Sequence, residues 1–235
     1  MDQTTTDHDR VPLTRERILD AAIRLADEEG IEALSMRRLA GALGVEAMSI
    51  YYHLPNKGSL VDAMADQVFG EIELPEDGDG WQEAIRRCAA SAHTVLIAHP
   101  WASRLVMAPS SRDAPQPARL RYMDWLLGRL RRAGFSAELA YQAYHAVDAH
   151  VLGFTMWELG HTAGLRQALA GREMAAMVAA FIGEMGAGHP HLAEHARLHV
   201  AAPSGDGDRE FAFGLGLILE GLEPARAAGK PAPPR

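Results

Sequence analysis

A single cysteine, Cys88, is all that the 235 residues carry. An internal disulfide framework is therefore excluded, and the chain fits a reducing compartment. No run of about 18 apolar residues occurs, so no segment is expected to span a membrane. The opening MDQTTTDHDR has neither the basic start nor the apolar stretch of a secretory signal, and the expected location is the cytoplasm. Catalytic motifs are missing too: there is no GxSxG, no phosphate-binding glycine loop and no HExxH. With Cys88 on an ordinary amphipathic stretch, no nucleophile–base–orienter set assembles and no enzyme is expected. Positive charge is also scarce, with 23 Lys and Arg against 31 Asp and Glu, a net charge of −8. Such a balance argues against non-specific nucleic-acid binding, which phosphate neutralisation drives. What is present, 48% hydrophobic and 23% charged residues, is a globular composition with enough apolar material for a core of good size.

No β-alternation lasts more than a few residues and no internal repeat is found, so the expected class is all-α. Residues 1–12 read as a disordered arm. Thr14 is placed to cap a helix over RERILDAAIRLADEEG, with Gly30 stopping it. Ser35 caps MRRLAGALG, Gly44 suits a tight turn, and Val45 to His53 is expected as a third helix, ended by Pro55. Asn56 caps a fourth helix reaching about Ile72, and LPEDGDG (74–80) marks the edge of this module. Further helices are expected near 81–98, 117–133, 137–159, 171–184 and 209–223, with a Pro/Ala tail over 225–235. The domains are thus 13–72, with a helix-turn-helix, and 73–224, helical throughout.

Short helix, glycine turn, short helix is the plan in which the second helix enters the major groove of DNA. Val45, Ile50 and Leu54 are the natural inward set. Ala47, Met48 and Ser49 then stand at the helix start, where small or flexible side chains approach base edges. Tyr51, His53 and Lys57 are placed to reach phosphate oxygens, beside the backbone N–H groups at Asn56–Gly58, and Arg37 and Arg38 add positive charge. The bland alternative is half-buried packing, and Tyr52 is the residue most readily assigned to it.

The run RERILDAAIRLADEEGIEALSMRRLAGALGVEAMSIYYHLPNKGSLVDAM, about residues 14–64, resembles the DNA-binding domain of the TetR family of bacterial transcriptional repressors. The resemblance implies a homodimer whose residues 1–64 each read half of a palindromic operator. It implies DNA contact by Arg37 from the second helix, base-edge contact by Ala47, Met48 and Ser49, and backbone contact by Tyr51, His53 and Lys57. The tetracycline repressors carry LYWHVKNK at the equivalent run, with a polar residue and proline where Ala47 and Met48 stand here, so a different operator is expected. More loosely, HPWASRLV, LRRAGFSAELAYQAYHAVDAHVLGFTMWE and FAFGLGLILEGLE resemble the C-terminal domain of the tetracycline-repressor-like branch. That likeness implies dimerisation through a four-helix bundle from 137–159 and 209–223. The closing helix has an apolar face of Phe211, Leu215, Leu219 and Leu222, which suits that bundle or an internal core.

The same resemblance implies a pocket for a small-molecule effector. Residues with an apolar body and a polar tip are the candidates: His93, Trp101, Tyr122, Trp125, His145, Trp157 and His161, with Met107 and Met156. The tetracycline repressors bind their drug with magnesium through a histidine and a glutamate that are not aligned with residues here, so tetracycline is not the expected effector, and no cofactor is expected. His191, His195 and His199 fall at i, i+4 and i+8 on one helical face. Such a ladder suits zinc chelation or a solvated surface, and it is not counted as a site.

Overall fold

In a computed structural model of the chain, the described residues are 12–76, 78, 80–106, 116–168, 174–185, 188–201 and 207–228. Among them every regular element is helical: α1 (Arg15–Glu29), a 3₁₀ turn (Ile31–Ala33), α2 (Met36–Leu43), α3 (Ala47–Tyr51), α4 (Lys57–Phe69), α5 (Trp81–Ala98), α6 (Pro100–Val106), α7 (Pro117–Arg132), α8 (Ala137–Ala168), α9 (Met174–Met185), α10 (Pro190–Ala201) and α11 (Gly207–Ala228). The chain divides into two compact units, Met1–Ile72 with Ala98–Met123, and Glu73–Ile97 with Asp124–Arg235.

In the first unit, α1, α2 and α4 each start where a side chain accepts an orphan amide, whereas α3 follows Glu46 with no side-chain cap. Thr14 accepts from the Arg17 amide at 3.2 Å, Ser35 from Arg38 at 3.2 Å and Asn56 from Ser59 at 2.8 Å. The core joins Ile18 and Ala22 of α1, Leu39 of α2, Ile50 of α3, and Leu60 and Met64 of α4, all essentially without solvent contact. Between α2 and α3, Gly44 takes the left-handed conformation (φ 67°, ψ 33°), a region costly for residues with a Cβ. The Val45 amide then reaches back to the Ala40 carbonyl at 3.0 Å. This closure of α2 removes Val45 from the next helix, and Glu46 is extended, so α3 covers only Ala47–Tyr51 rather than the expected 45–53. Val45 is accordingly half-buried, not part of the inner core with Ile50 and Leu54. The helix α6 was not anticipated; it opens with Pro100, a residue suited to the first helical position.

The second unit is built on α5, α8 and α11. Ile85, Cys88, Ala92 and Leu96 of α5, Val147 and Val151 of α8, and Phe211, Leu215 and Leu219 of α11 are buried in it, and α11 packs on α8. A Cβ at Gly214 would lie 2.5 Å from the His150 ring, so a larger residue there would have to displace that imidazole. Two helices run further than expected. Beyond 159, α8 continues to Ala168, with the Trp157 and His161 rings stacked one turn apart (5.1 Å, 14°), and its glycines weaken it without breaking it. For its part, α11 passes through Pro224 to Ala228, four residues into the expected tail. Pro224 deprives the Glu220 carbonyl of its helical donor, but Glu220 is exposed to water. The Arg226 guanidinium then ties the extension to the Ala133 carbonyl at 2.8 Å. No described helix is long and apolar enough to cross a membrane.

Candidate DNA-reading surface and buried polar cluster

Because α3 is so short, it buries only Ile50, with Leu54 buried just beyond it, and turns almost everything else outward. Met48 is 71% exposed, Tyr51 42% and Tyr52 94%. Ser49, His53, Arg37 and Lys57 are exposed as well, and Ala47 is half-buried. The assignment of Tyr52 to packing is therefore wrong. Tyr52 sits at the C-cap of α3, where the chain is already leaving the core, and its ring meets solvent.

Lys57 has a partner inside the protein. Its Nζ donates to the Leu34 carbonyl at 2.6 Å, which fastens the start of α4 to the turn ahead of α2. An ammonium has three donors, so two remain for an anion. Arg38 pairs with Glu29, so part of its charge is answered within the unit. His53 lies close enough to α1 to contribute, as the smallest of several influences, to holding the Glu16 carboxyl below the usual carboxylate range. A hydrogen bond to its own backbone and the Thr14 hydroxyl come first. Two acidic residues of this unit are held by neutral donors that leave their charge in place: Asp20 accepts from Gln67 at 2.8 Å, and Asp27 from the Trp101 indole at 2.7 Å.

The second unit gathers polar groups around His93. The imidazole is 3% exposed and stacks on Phe211 with centroids 4.4 Å apart and planes within 7°. Its Nδ1 is 2.8 Å from the Thr155 hydroxyl, which lies 2.6 Å from the Val151 carbonyl. Its Nε2 stands 3.2 Å from Glu158 Oε2. That oxygen is buried and makes no hydrogen bond of good geometry. Burial pushes the His93 pKa below its ordinary value, against the opposing pull of Glu158 and Asp208. Phe154 stands edge-on to His93 at 5.7 Å and next to Trp157 at 5.5 Å.

Of the effector candidates, this arrangement brings together His93, Trp157 and His161. Tyr122 and Trp101 belong to the other unit, where Tyr122 meets Phe69 edge-on. Trp125 donates its indole N–H to the Pro75 carbonyl at 3.1 Å, and His145 is exposed between Tyr141 and Tyr144. Met156 is exposed, and Met107 lies outside the described residues. Sequence reasoning missed Thr155, Glu158, Phe154 and Phe211 as members of the cluster. The recurrence of His150, Phe154 and Glu158 every four residues was the available signal. His191 and His195 are exposed on α10, and the His199 side chain is outside the described residues. Among the described residues no three His, Cys, Asp or Glu side chains are grouped as a metal would require. Cys88 is buried and its thiol is pushed up to about 12 by desolvation, which removes it as a nucleophile.

Comparison with known proteins points the same way. Residues 18–64 match the family model for "Bacterial regulatory proteins, tetR family", and residues 74–226 match "Tetracyclin repressor-like, C-terminal domain". Over 230 residues the chain is 34% identical to the HTH-type transcriptional repressor DrrR1 of Streptomyces coeruleorubidus, covering 94% of this chain and 82% of that one. It is 28% identical over 214 residues to tetracycline repressor protein class D of Escherichia coli, covering 90% and 89%. Among solved structures, the Streptomyces coelicolor TetR family protein ActR in complex with actinorhodin matches with a TM-score of 0.69 at 28% identity, covering 94% of this chain and 100% of that one.

Proposed function

This chain belongs to the TetR family of bacterial regulatory proteins, and from that premise we propose a homodimeric repressor that a small molecule releases from a palindromic operator. The observation that carries this reading is the outward ridge on α3, where Met48, Tyr51 and Tyr52 leave the core instead of filling it. In this reading residues 13–72 bind DNA. Arg37 of α2, with Ala47, Met48 and Ser49, meets base edges and adjacent backbone, while Tyr51, His53 and Lys57 hold phosphates. Tyr52 joins the second group because of its exposure.

Residues 73–224 receive the effector and form the dimer. The stripe of Phe211, Leu215 and Leu219 is used up inside the second unit, so the partner subunit meets the other side of α11. Phe213 is 69% and Leu217 56% exposed there, and Tyr141 is exposed on α8. The names of the tetracycline repressor and of ActR with actinorhodin support an organic effector. The cluster of His93, Phe154, Thr155, Trp157, Glu158 and His161 is the candidate to receive it, with no cofactor of its own. Without effector, two recognition helices stand roughly 34–36 Å apart, one turn of B-DNA. Effector binding moves α4 and spoils that spacing. A shift of occupancy from 1:99 to 99:1 requires about 10⁴-fold tighter binding to the DNA-free state. Such a regulator works in the cytoplasm, beside its DNA.

Fluorescence anisotropy against the duplex just upstream of its own gene, with a scrambled duplex as control, tests the reading. A preference of at least about 10³-fold for the native fragment is expected of a specific regulator. Equal, weak binding to both would count against it.

A further inference from the structure

In the first unit α4 is attached to the start of α7. Gln116, the residue just before α7, is outside the favoured capping types, and Pro117 has no N–H to satisfy. The next two amides are orphan donors at a helix start. Both are taken by one carboxylate from α4: Asp66 Oδ1 accepts the Ala118 N–H at 2.9 Å and the Arg119 N–H at 3.3 Å. An anion at a helix N-terminus gains from the charge-assisted bonds and from the helix dipole together. One turn along each helix, Phe69 of α4 meets Tyr122 of α7 edge-on, with centroids 6.2 Å apart. At the end of α4, a Cβ on Gly70 would sit 3.9 Å from the Ala118 Cβ, so the backbones are already close.

Asp27, near the end of α1, treats the neighbouring segment alike. It accepts from the Trp101 indole at 2.7 Å and from His99 Nδ1 at 2.9 Å. His99 Nε2 in turn lies 3.4 Å from Glu71, just beyond α4. Two aspartates, one on α1 and one on α4, thus hold the beginnings of α6 and α7.

We infer that Asp66 is a positioning residue for DNA binding: by capping α7 from α4 it makes the two helices one mechanical body, through which the DNA-reading surface and α7 sense each other. This rests on the DNA-binding reading above. The coupling must be reciprocal, so DNA bound at α3 and α4 must be felt at the start of α7.

Hydrogen exchange on the full chain, read by mass spectrometry on peptides covering α4 and the first turns of α7, tests it. In the unaltered protein the two helices should exchange together, and the upstream duplex should slow both. Asp66→Ala should speed exchange at Ala118 and Arg119 about tenfold, the usual effect of losing a helix cap. It should also abolish the DNA-induced slowing in α7 while leaving that in α4. Asp66→Asn keeps an acceptor oxygen and should restore part of the coupling. A merely structural cap would raise the basal exchange and leave the DNA-induced difference intact, which would overturn the inference. Slowing confined to α4 in the unaltered protein would overturn it too. If the upstream duplex does not bind at all, the functional reading fails by itself. The role of Asp66 in DNA binding falls with it, and the mechanical part is decided without DNA: joint exchange of α4 and α7 that separates in Asp66→Ala supports one body, and separate exchange in the unaltered protein sinks it.

Discussion

Among the described residues, the shortest α-helix and one of the longest treat the same kind of side chain in opposite ways. On α3, five residues long, Met48 and Tyr51 are exposed, and Tyr52 follows them into solvent. On α11, 22 residues long, Phe211, Leu215 and Leu219 are buried, while Phe213 and Leu217 remain outside. A short helix between two chain reversals has too few residues to bury a stripe, so its bulky groups are left for a partner. A long helix fills its own core first, and only its second apolar face is spare. Exposure therefore has a different meaning in the two places: on α3 nearly every large side chain is available, whereas on α11 availability begins where internal packing ends.

The comparison is broken most severely at Phe211. Phe211→Ala removes the ring stacked on His93 and should cost about 3–5 kcal/mol of stability, measured by urea unfolding. A loss under about 1 kcal/mol would mean that this face of α11 is not core. The opposite face gives a different readout. Phe213→Asp with Leu217→Asp should leave the protomer folded but raise the dimer dissociation constant by more than about 100-fold, an interface effect of roughly 2–4 kcal/mol. Sedimentation velocity would show it, and an unchanged dimer would remove α11 from the interface. For the first unit, Lys57→Ala should weaken binding to native and scrambled duplexes alike and flatten the slope of log K against log salt by about 0.9. An unchanged slope would confine Lys57 to its bond with the Leu34 carbonyl.

The His93 cluster yields a smaller, pH-dependent effect. Its folded pKa lies below the ordinary value of 6.5 because burial disfavours the charged ring. The unfolded state then binds the proton more readily. The contribution to stability is full above about pH 6.5 and is lost as pH falls through the lower folded value. Glu158 and Asp208 oppose the shift and His150 adds to it. Chemical unfolding between pH 5 and 8 (roughly one unit and a half either side of that value) should show stability falling toward acid, and His93→Gln should flatten the trend. A protein that grows more stable on acidification through this range would mean that the two carboxylates prevail over burial.

How far sequence carries differs between the units for the same reason as exposure does. In the first unit Thr14, Ser35 and Asn56 cap their helices as the residue types indicate, since a cap is decided by neighbours three residues away. The ends fail where the closure of one helix consumes residues of the next: the Val45 amide turns back to Ala40 over left-handed Gly44 and shortens α3. In the second unit α8 and α11 outrun their expected ends because stacking of Trp157 on His161 and anchoring of Arg226 are not local capping signals. The residues of the candidate sites are visible as types, but their grouping is not. Nothing in the spacing of Trp125 shows that its N–H is taken by Pro75, or that His93 finds Thr155 and Glu158 on another helix.

Tyr52 gives the smallest change in stability and the sharpest separation of the two kinds of helix face. A bracing ring would lose packing when truncated, and any fall in DNA affinity would follow the fall in stability. At 94% exposure there is almost no packing to lose. Tyr52→Ala should therefore shift the unfolding free energy by no more than about 0.5 kcal/mol. If the phenol reaches a phosphate, the same change should weaken operator binding about tenfold, the size of one charge-assisted hydrogen bond of roughly 1.5 kcal/mol. Tyr52→Phe then distinguishes the hydroxyl from the ring: affinity lost equally in both variants assigns the contact to the hydroxyl, and affinity kept by phenylalanine assigns it to the ring face. Parallel losses of stability and affinity in the alanine variant would return Tyr52 to packing and leave Tyr51 as the outward aromatic of α3.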